Sequence, residues 1–129
     1  MTNKDSVRYQ GSCLCGAIQY EILAEPVTAS HCHCKMCQKQ HGAAFASYAR
    51  IRRSELRYTK GQDTIKRYQS SEKVERSFCS ECGSNLEWGY TEGEWAHWVA
   101  IALGSFDTPY SQDIYRELHT EDKAPWWQP

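Results

Sequence analysis

The sequence lacks the features that mark membrane, secreted and nucleic-acid-binding chains. No apolar run approaches the roughly 20 residues of a membrane-spanning helix, and the mean hydropathy is −0.72. Fifteen Lys and Arg against 16 Asp and Glu leave a net charge of −1, whereas electrostatic binding of nucleic acid needs a basic chain. No apolar stretch follows the first residues, so we expect no secretory signal. We therefore expect a cytoplasmic protein without membrane or nucleic-acid partners.

Internal repeats, low-complexity tracts and linkers are also missing, so 129 residues predict one domain. Apolar and polar residues alternate in short segments, which is typical of half-buried strands. Residues 95–103 form the most apolar segment and predict a central strand, with Trp95 and Trp98 in the core. The sequence thus predicts one all-β domain of short antiparallel strands with little helix. The predicted strands are 17–22, 27–31, 44–51, 64–69, 74–78, 86–90, 95–103 and 115–119, with a helical turn at 35–41 and turns at 54–56 and 60–63.

Cysteine, in contrast, is abundant for a chain of this length. An odd number of thiols does not close a disulfide framework, and thiols one residue apart on an extended chain project to opposite sides. In a reducing compartment such clusters are typical of zinc ligands. The seven cysteines are Cys13, Cys15, Cys32, Cys34, Cys37, Cys79 and Cys82.

Seven thiols suggest four ligands for a closed zinc site and three for an open one. The Cys79–Cys82 pair, followed by Gly83, is typical of a zinc knuckle, which supplies half a site. The other half of this site could be Cys13 and Cys15. Alternatively, Cys13 and Cys15 could share a site with two of Cys32, Cys34 and Cys37. Cys32, Cys34 and Cys37 lie within six residues and can converge on one ion, and the nearby imidazoles that could close this site are His31, His33 and His41.

A run of basic residues and a pair of tryptophans near the end of the sequence each allow two interpretations. A basic run could bind an anionic group, but we interpret it as a solvated surface because the net charge is near zero. The tryptophan pair 126–127 could cover a pocket or a partner, or dock the tail on a sheet edge. The basic run comprises Arg50, Arg52, Arg53, Arg57 and Lys60.

Three cysteine motifs and the tail together resemble one family. These segments are 11–16 (GSCLCG), 31–45 (HCHCKMCQKQHGAAF), 76–86 (RSFCSECGSNL) and 123–126 (KAPW). They are similar to the glutathione-dependent formaldehyde-activating (GFA) family, which also includes centromere protein V. The resemblance covers residues 11–126 of a single GFA-like zinc domain spanning 1–129.

The resemblance implies a zinc-containing β-tent fold with two zinc ions per chain. It implies a carbon–sulfur lyase that condenses formaldehyde with glutathione, or cleaves such a thiol adduct. The alternative is a zinc-stabilised β domain that binds a protein without catalysis, its second zinc closed by a histidine. The implied ligands are Cys13, Cys15, Cys79 and Cys82 for a structural zinc, and Cys32, Cys34 and Cys37 for a catalytic zinc.

Overall fold

The computed structural model describes residues 6–128 and confirms an all-β fold with little helix. Short 3-10 turns join several of the strands, and the single described α-helix follows the third strand. The strands are β1 (Tyr9–Ser12), β2 (Gln19–Ile22), β3 (Thr28–Cys32), β4 (Ala46–Arg52), β5 (Leu56–Lys60), β6 (Ile65–Ser71), β7 (Val74–Cys79), β8 (Asn85–Tyr90), β9 (Trp98–Ala102) and β10 (Arg116–Leu118), and the helix is α1 (Lys35–His41).

The strands form two sheets, of three and seven strands. The smaller sheet has the order β1-β2-β5, and the larger one has the order β10-β3-β4-β9-β8-β7-β6. The strand pairs are antiparallel apart from β10, which runs parallel to β3. The long segment after β9 carries the chain back to this edge, as a parallel pairing requires. The antiparallel prediction is therefore wrong only for β10.

The sequence placed some strands correctly and missed others. The β6–β7 hairpin is confirmed, and α1 covers the predicted helical turn. β9 begins at Trp98, because Glu94–His97 form a 3-10 turn instead of a strand. Trp95 is consequently 47% exposed, so its assignment to the core was wrong. β1 and β5 were missed by the sequence analysis, although Leu56–Lys60 alternates apolar and polar residues over its first four positions.

The main core is built from residues of both sheets. Its aliphatic side chains are almost fully buried, and each contributes about 1.5–3 kcal/mol relative to exposure. Glycine is needed at position 11 of β1, because a Cβ there would lie 2.1 Å from the Tyr20 ring and 2.7 Å from the backbone oxygen of Ser105. The core residues are Tyr9, Ile18, Tyr20, Ile22, Ile51, Leu86, Val99 and Ile101, with the thiols of Cys13 and Cys79.

The other face of the large sheet carries a second apolar cluster. Along β4, Ile51 joins the main core, whereas Tyr48 joins this second cluster. Alternation along the strand thus buries β4 on both faces. Cys32 and Cys37 belong to the second cluster, so they lie on the face of the large sheet opposite the main core.

Within residues 6–128, no helix has the length and apolar character that crossing a membrane requires. The α-helix α1 has only seven residues.

Candidate functional site

Four of the seven cysteine sulfurs gather where the loop after β1 meets the end of β7. The sulfurs of these residues all lie within 4.8 Å of one another. The Sγ of Cys15 is 3.7 Å from that of Cys13 and 3.9 Å from that of Cys79. Of the two partners that the sequence left open for Cys13 and Cys15, the structure therefore brings them to the pair Cys79 and Cys82. We call this set the four-sulfur cluster: Cys13, Cys15, Cys79 and Cys82.

Hydrogen-bond donors point at these sulfurs. The backbone N–H of Ile18 donates to Cys13 Sγ at 3.2 Å, and the N–H of Cys82 donates to Cys79 Sγ at 3.4 Å. The hydroxyl of Ser84 lies 3.2 Å from Cys82 Sγ and, with backbone donors, lowers the pKa of Cys82 to about 5. Such donors favour thiolates, so the donor set fits a divalent metal ion that prefers sulfur.

The other three cysteines gather around the N-terminus of α1. Their sulfurs also lie within 4.8 Å of one another, and we call them the three-sulfur cluster: Cys32, Cys34 and Cys37. Cys34 is the N-cap of α1, and its Sγ accepts a hydrogen bond from the Cys37 N–H at 3.3 Å. The helix ends at His41 and is capped by Gly42, whose φ of 59° suits glycine. The end of β3, which carries Cys32, and the capped first turn of α1 thus bring the three sulfurs close together.

The thiols of this cluster differ in acidity. A hydrogen bond from Cys37 lowers the pKa of Cys32, because it stabilises the Cys32 thiolate. The same bond, with burial, raises the pKa of Cys37. Both shifts arise from the contact between the two sulfurs, and binding of a metal ion would require both thiols to be deprotonated.

Arg76 is a buried charge beside this cluster that sequence reasoning missed. It is 4% exposed, and its Nη1 and Nη2 lie 3.6 and 3.7 Å from Cys37 Sγ. Its Nη1 donates to Gln40 Oε1 at 2.7 Å, and its Nε donates to Ser70 Oγ at 3.1 Å. Arg76 opens the third motif, but nothing in the motif spacing pointed to a contact with Cys37.

The nearby histidines have other partners. His31 Nδ1 lies 2.8 Å from Ser47 Oγ, and buried His33 holds Glu117 through Nε2 at 2.6 Å. His41 Nε2 lies 3.0 Å from the hydroxyl of Tyr48, and burial with the charge of Arg76 lowers the His41 pKa to about 4. Within residues 6–128, no imidazole joins the three-sulfur cluster. The geometry favours a centre with three protein ligands over closure by histidine.

The tail docks through one of its two tryptophans. The Trp127 ring lies 5.2 Å from the Phe45 ring and 5.6 Å from the His33 ring. Trp126, in contrast, is 70% exposed. Of the alternatives weighed for this pair, Trp127 fits tail docking.

The three-sulfur cluster opens into a cleft of about 460 Å³ on the large sheet. All three sulfur-bearing residues line it, so a small molecule in the cleft can reach them. The remaining lining is mainly apolar and aromatic, with a few polar groups, as is usual for small-molecule sites. The residues used below are Tyr48, Arg50, Arg76, Trp88, Trp95 and Trp98.

Comparison with known proteins identifies the family to which the chain belongs. The sequence profile described as "Glutathione-dependent formaldehyde-activating enzyme" matches residues 8–122. The chain belongs to this GFA family. Over 86 residues it is 31% identical to an uncharacterised lyase of Schizosaccharomyces pombe, covering 67% of this chain and 61% of that protein. Over 76 residues it is 36% identical to a Podospora anserina protein named as a candidate glutathione-dependent formaldehyde-activating enzyme, covering 57% of this chain and 36% of that protein.

The chain therefore spans less than two thirds of the length of these GFA relatives. A crystal structure of a Rhodobacter sphaeroides protein shares the fold, with a TM-score of 0.67 and 22% identity. That match covers 84% of this chain and 98% of the Rhodobacter chain. The family resemblance found in the sequence is confirmed.

Proposed function

We propose that this GFA-family chain is a zinc-dependent carbon–sulfur lyase that forms or cleaves the adduct of a small aldehyde with a thiol. Formaldehyde and glutathione are the first candidate substrates, and the cytoplasm is the expected location. The observation that carries the proposal is the three-sulfur cluster at the end of an open cleft. Sulfur ligands without a fourth protein partner are suited to an exchangeable substrate ligand.

The two sulfur clusters differ in a way that suggests two roles for zinc. The four-sulfur cluster has a complete set of protein ligands, which is typical of structural zinc, whereas the three-sulfur cluster would hold catalytic zinc. When bound at the three-sulfur cluster, zinc supplies positive charge that favours a deprotonated sulfur and leaves one ligand position open. The buried Arg76 guanidinium offsets the excess negative charge of three thiolates.

In the proposed reaction, the substrate sulfur forms a bond to the aldehyde carbon and the carbonyl π bond opens. The thiol proton ends on the new hydroxyl oxygen, and the reverse reaction releases thiol and aldehyde. The cleft brings both reactants together beside the cysteines, which supplies proximity. Cys32, Cys34 and Cys37 act as ligands and do not form bonds to substrate carbon.

We assign Tyr48 the role of holding the aldehyde oxygen. Tyr48 is one of the residues that line the cleft, and its hydroxyl contacts His41 Nε2. When Nε2 carries the His41 proton, that N–H donates to the Tyr48 oxygen and frees the Tyr48 O–H to donate to substrate. A donor aimed at the oxygen on which charge develops accelerates such additions.

Two measurements test the proposal on anaerobically purified protein. In the first, exchange spectroscopy by NMR follows the rate at which formaldehyde and glutathione form their adduct; we expect acceleration in proportion to protein concentration. In the second, the cobalt-substituted protein is titrated with glutathione; we expect two metals per chain and increased thiolate-to-cobalt absorption.

The variant Cys34→Ser should lose the acceleration and one metal while keeping the fold. Acceleration that survives Cys34→Ser would contradict the proposal. Two metals without acceleration or spectral change would instead favour the zinc-stabilised protein-binding domain.

A further inference from the structure

Arg50 lies at the far end of the cleft from the three-sulfur cluster. In the large sheet Arg50 pairs with Thr28, whereas Cys32 pairs with Ala46, so four residues of β3 separate the two positions. At about 3.3 Å per residue, this separation is roughly 13 Å along the strand. Arg50 and Cys32 both line the cleft. A molecule of moderate length could therefore touch both ends.

The Arg50 guanidinium is held by aromatic rings. Its Cζ lies 5.3 Å from the ring centroids of both Trp95 and Trp98. Its Nε is buried and has no hydrogen-bond partner among residues 6–128. Two other arginines of the basic run are paired with carboxylates, since Arg53 contacts Glu87 and Arg57 contacts Glu21. Arg50 is thus a fixed cation with an unused buried donor, at the position where the sequence predicted a solvated charge.

Away from the three-sulfur cluster, the charged side chains that line the cleft are cationic. Its lining includes Arg50, Arg76 and Arg116, and no Asp or Glu among the described lining residues. Between the two ends the lining is mainly apolar, with Trp88, Trp98 and other hydrophobic groups, and Ser30 and Arg116 lie at the middle of β3 and the start of β10. Low-dielectric walls strengthen the attraction of such cations for an anion. The cleft therefore favours a ligand with an apolar body and a negative charge.

We infer that Arg50 binds a carboxylate of the substrate, and that the cleft selects thiol adducts whose non-reacting part is an apolar body ending in a carboxylate. The statement that the bound molecule is a thiol adduct rests on the proposed function. The carboxylate subsite at Arg50 can be tested by ligand binding alone. The planar guanidinium can present paired N–H donors to a carboxylate. Glutathione also carries an ammonium, for which the described cleft lining offers no acidic partner. Such apolar thiol acids are better substrates than glutathione.

The subsite is tested with two probes that lack sulfur and differ in charge. Isothermal titration calorimetry compares 3-phenylpropionate with 3-phenylpropan-1-ol on the metal-loaded protein. The wild type should bind the carboxylate about tenfold more tightly, as expected for a charge-assisted hydrogen bond in an apolar site. Arg50→Met, which keeps an apolar stem, should remove this preference. The matched control Arg52→Met, at an exposed arginine beside Trp98 outside the cleft lining, should keep it.

Equal affinity of the wild type for both probes would overturn the inference, as would a preference that survives Arg50→Met or is lost in Arg52→Met. If Arg50→Met fails to fold, an NMR titration of the wild-type protein with 3-phenylpropionate tests the inference instead. Carboxylate binding should then shift the indole N–H resonances of Trp95 and Trp98 and weaken with added salt. Unshifted resonances would overturn the inference.

A turnover measurement separates this subsite from the proposed function. It compares 4-(sulfanylmethyl)benzoate, its neutral 4-methyl analogue and glutathione as thiols for formaldehyde. Arg50-dependent binding of 3-phenylpropionate without turnover of any thiol would sustain the subsite and refute the lyase. Turnover that shows no preference for the benzoate over its neutral analogue would sustain the lyase and refute the subsite.

Discussion

The Arg76 guanidinium lies 3.6 Å from the Sγ of Cys37 and so connects the large sheet to the helix of the three-sulfur cluster. The contact spans 39 positions of sequence and is buried. Arg76 also donates a hydrogen bond to Gln40, one turn further along α1. Its guanidinium therefore places a positive charge beside Cys37 and fixes the orientation of the helix.

Arg76→Met should weaken metal binding at the three-sulfur cluster. The substitution removes a hydrogen-bond donor and a compensating positive charge from Cys37, and such partners of metal ligands are typically worth about 10–100-fold in affinity. Competition with a chelator measures the effect, with the exposed Lys66→Met as a control for charge loss. Unchanged affinity in Arg76→Met would show that the guanidinium does not support the cluster.

The two clusters should differ in their contribution to stability. The four-sulfur cluster joins residues 64 positions apart, such as Cys15 and Cys79. Closing so long a loop restricts the unfolded chain strongly, whereas ligands within residues 32–37 close only a short one. Cys82→Ser should therefore lower the melting temperature more than Cys34→Ser.

Cys82 and Cys34 are matched for this comparison because both are partly buried, and each belongs to one cluster. Thermal unfolding followed by circular dichroism, with metal counted in each variant, gives the result. A larger loss of stability in Cys34→Ser would contradict the assignment of the structural role to the four-sulfur cluster.

Tyr48→Phe should lower kcat of the proposed reaction by roughly 100-fold, as is typical for loss of one hydrogen-bond donor to a developing oxyanion. The ring remains in the cleft lining, so binding of the thiol should change little. Tyr68→Phe, at a 63% exposed tyrosine, is the matched control. Steady-state kinetics would contradict the role of Tyr48 if kcat stayed at the wild-type value or if only KM changed.

Tyr58 should make the protein sensitive to alkali. Its hydroxyl donates to the buried carboxylate of Glu87, and burial followed by that negative charge raises the pKa of Tyr58. The folded pKa thus exceeds the unfolded value near 10. Neutral Tyr58 contributes its full stability below about pH 10, and this contribution is lost as the pH rises further, because the unfolded chain ionises first.

Urea unfolding between pH 8 and pH 11 measures how steeply the free energy of unfolding changes with pH. Tyr58→Phe should lower the free energy of unfolding by about 1–3 kcal/mol at pH 8, because Glu87 loses a donor. It should also lose less additional stability above pH 10 than the wild type does. Tyr115→Phe, at an 83% exposed position, should follow the wild type, and a Tyr58→Phe slope equal to that of the wild type would refute the prediction.

Local features of the fold were predictable. The helix over residues 35–41 and the β6–β7 hairpin depend on neighbours in sequence, and both were placed correctly. The convergence of Cys32, Cys34 and Cys37 is also local, because the three residues lie within six positions at the junction of β3 and α1. β5 and the 3-10 turn before Trp98 could not be predicted, since their backbones are fixed by pairing and packing with distant strands.

The sequence by itself determined that this is a small all-β chain with two sulfur clusters, because spacing and motif order are properties of neighbouring residues. Only the tertiary structure decided which cysteines join Cys79 and Cys82, that Arg76 reaches Cys37, and that Arg50 lines the cleft with Trp95. The reason is strand register. A shift of one residue moves a side chain to the opposite face of a sheet, and that register is set by contacts across the whole core.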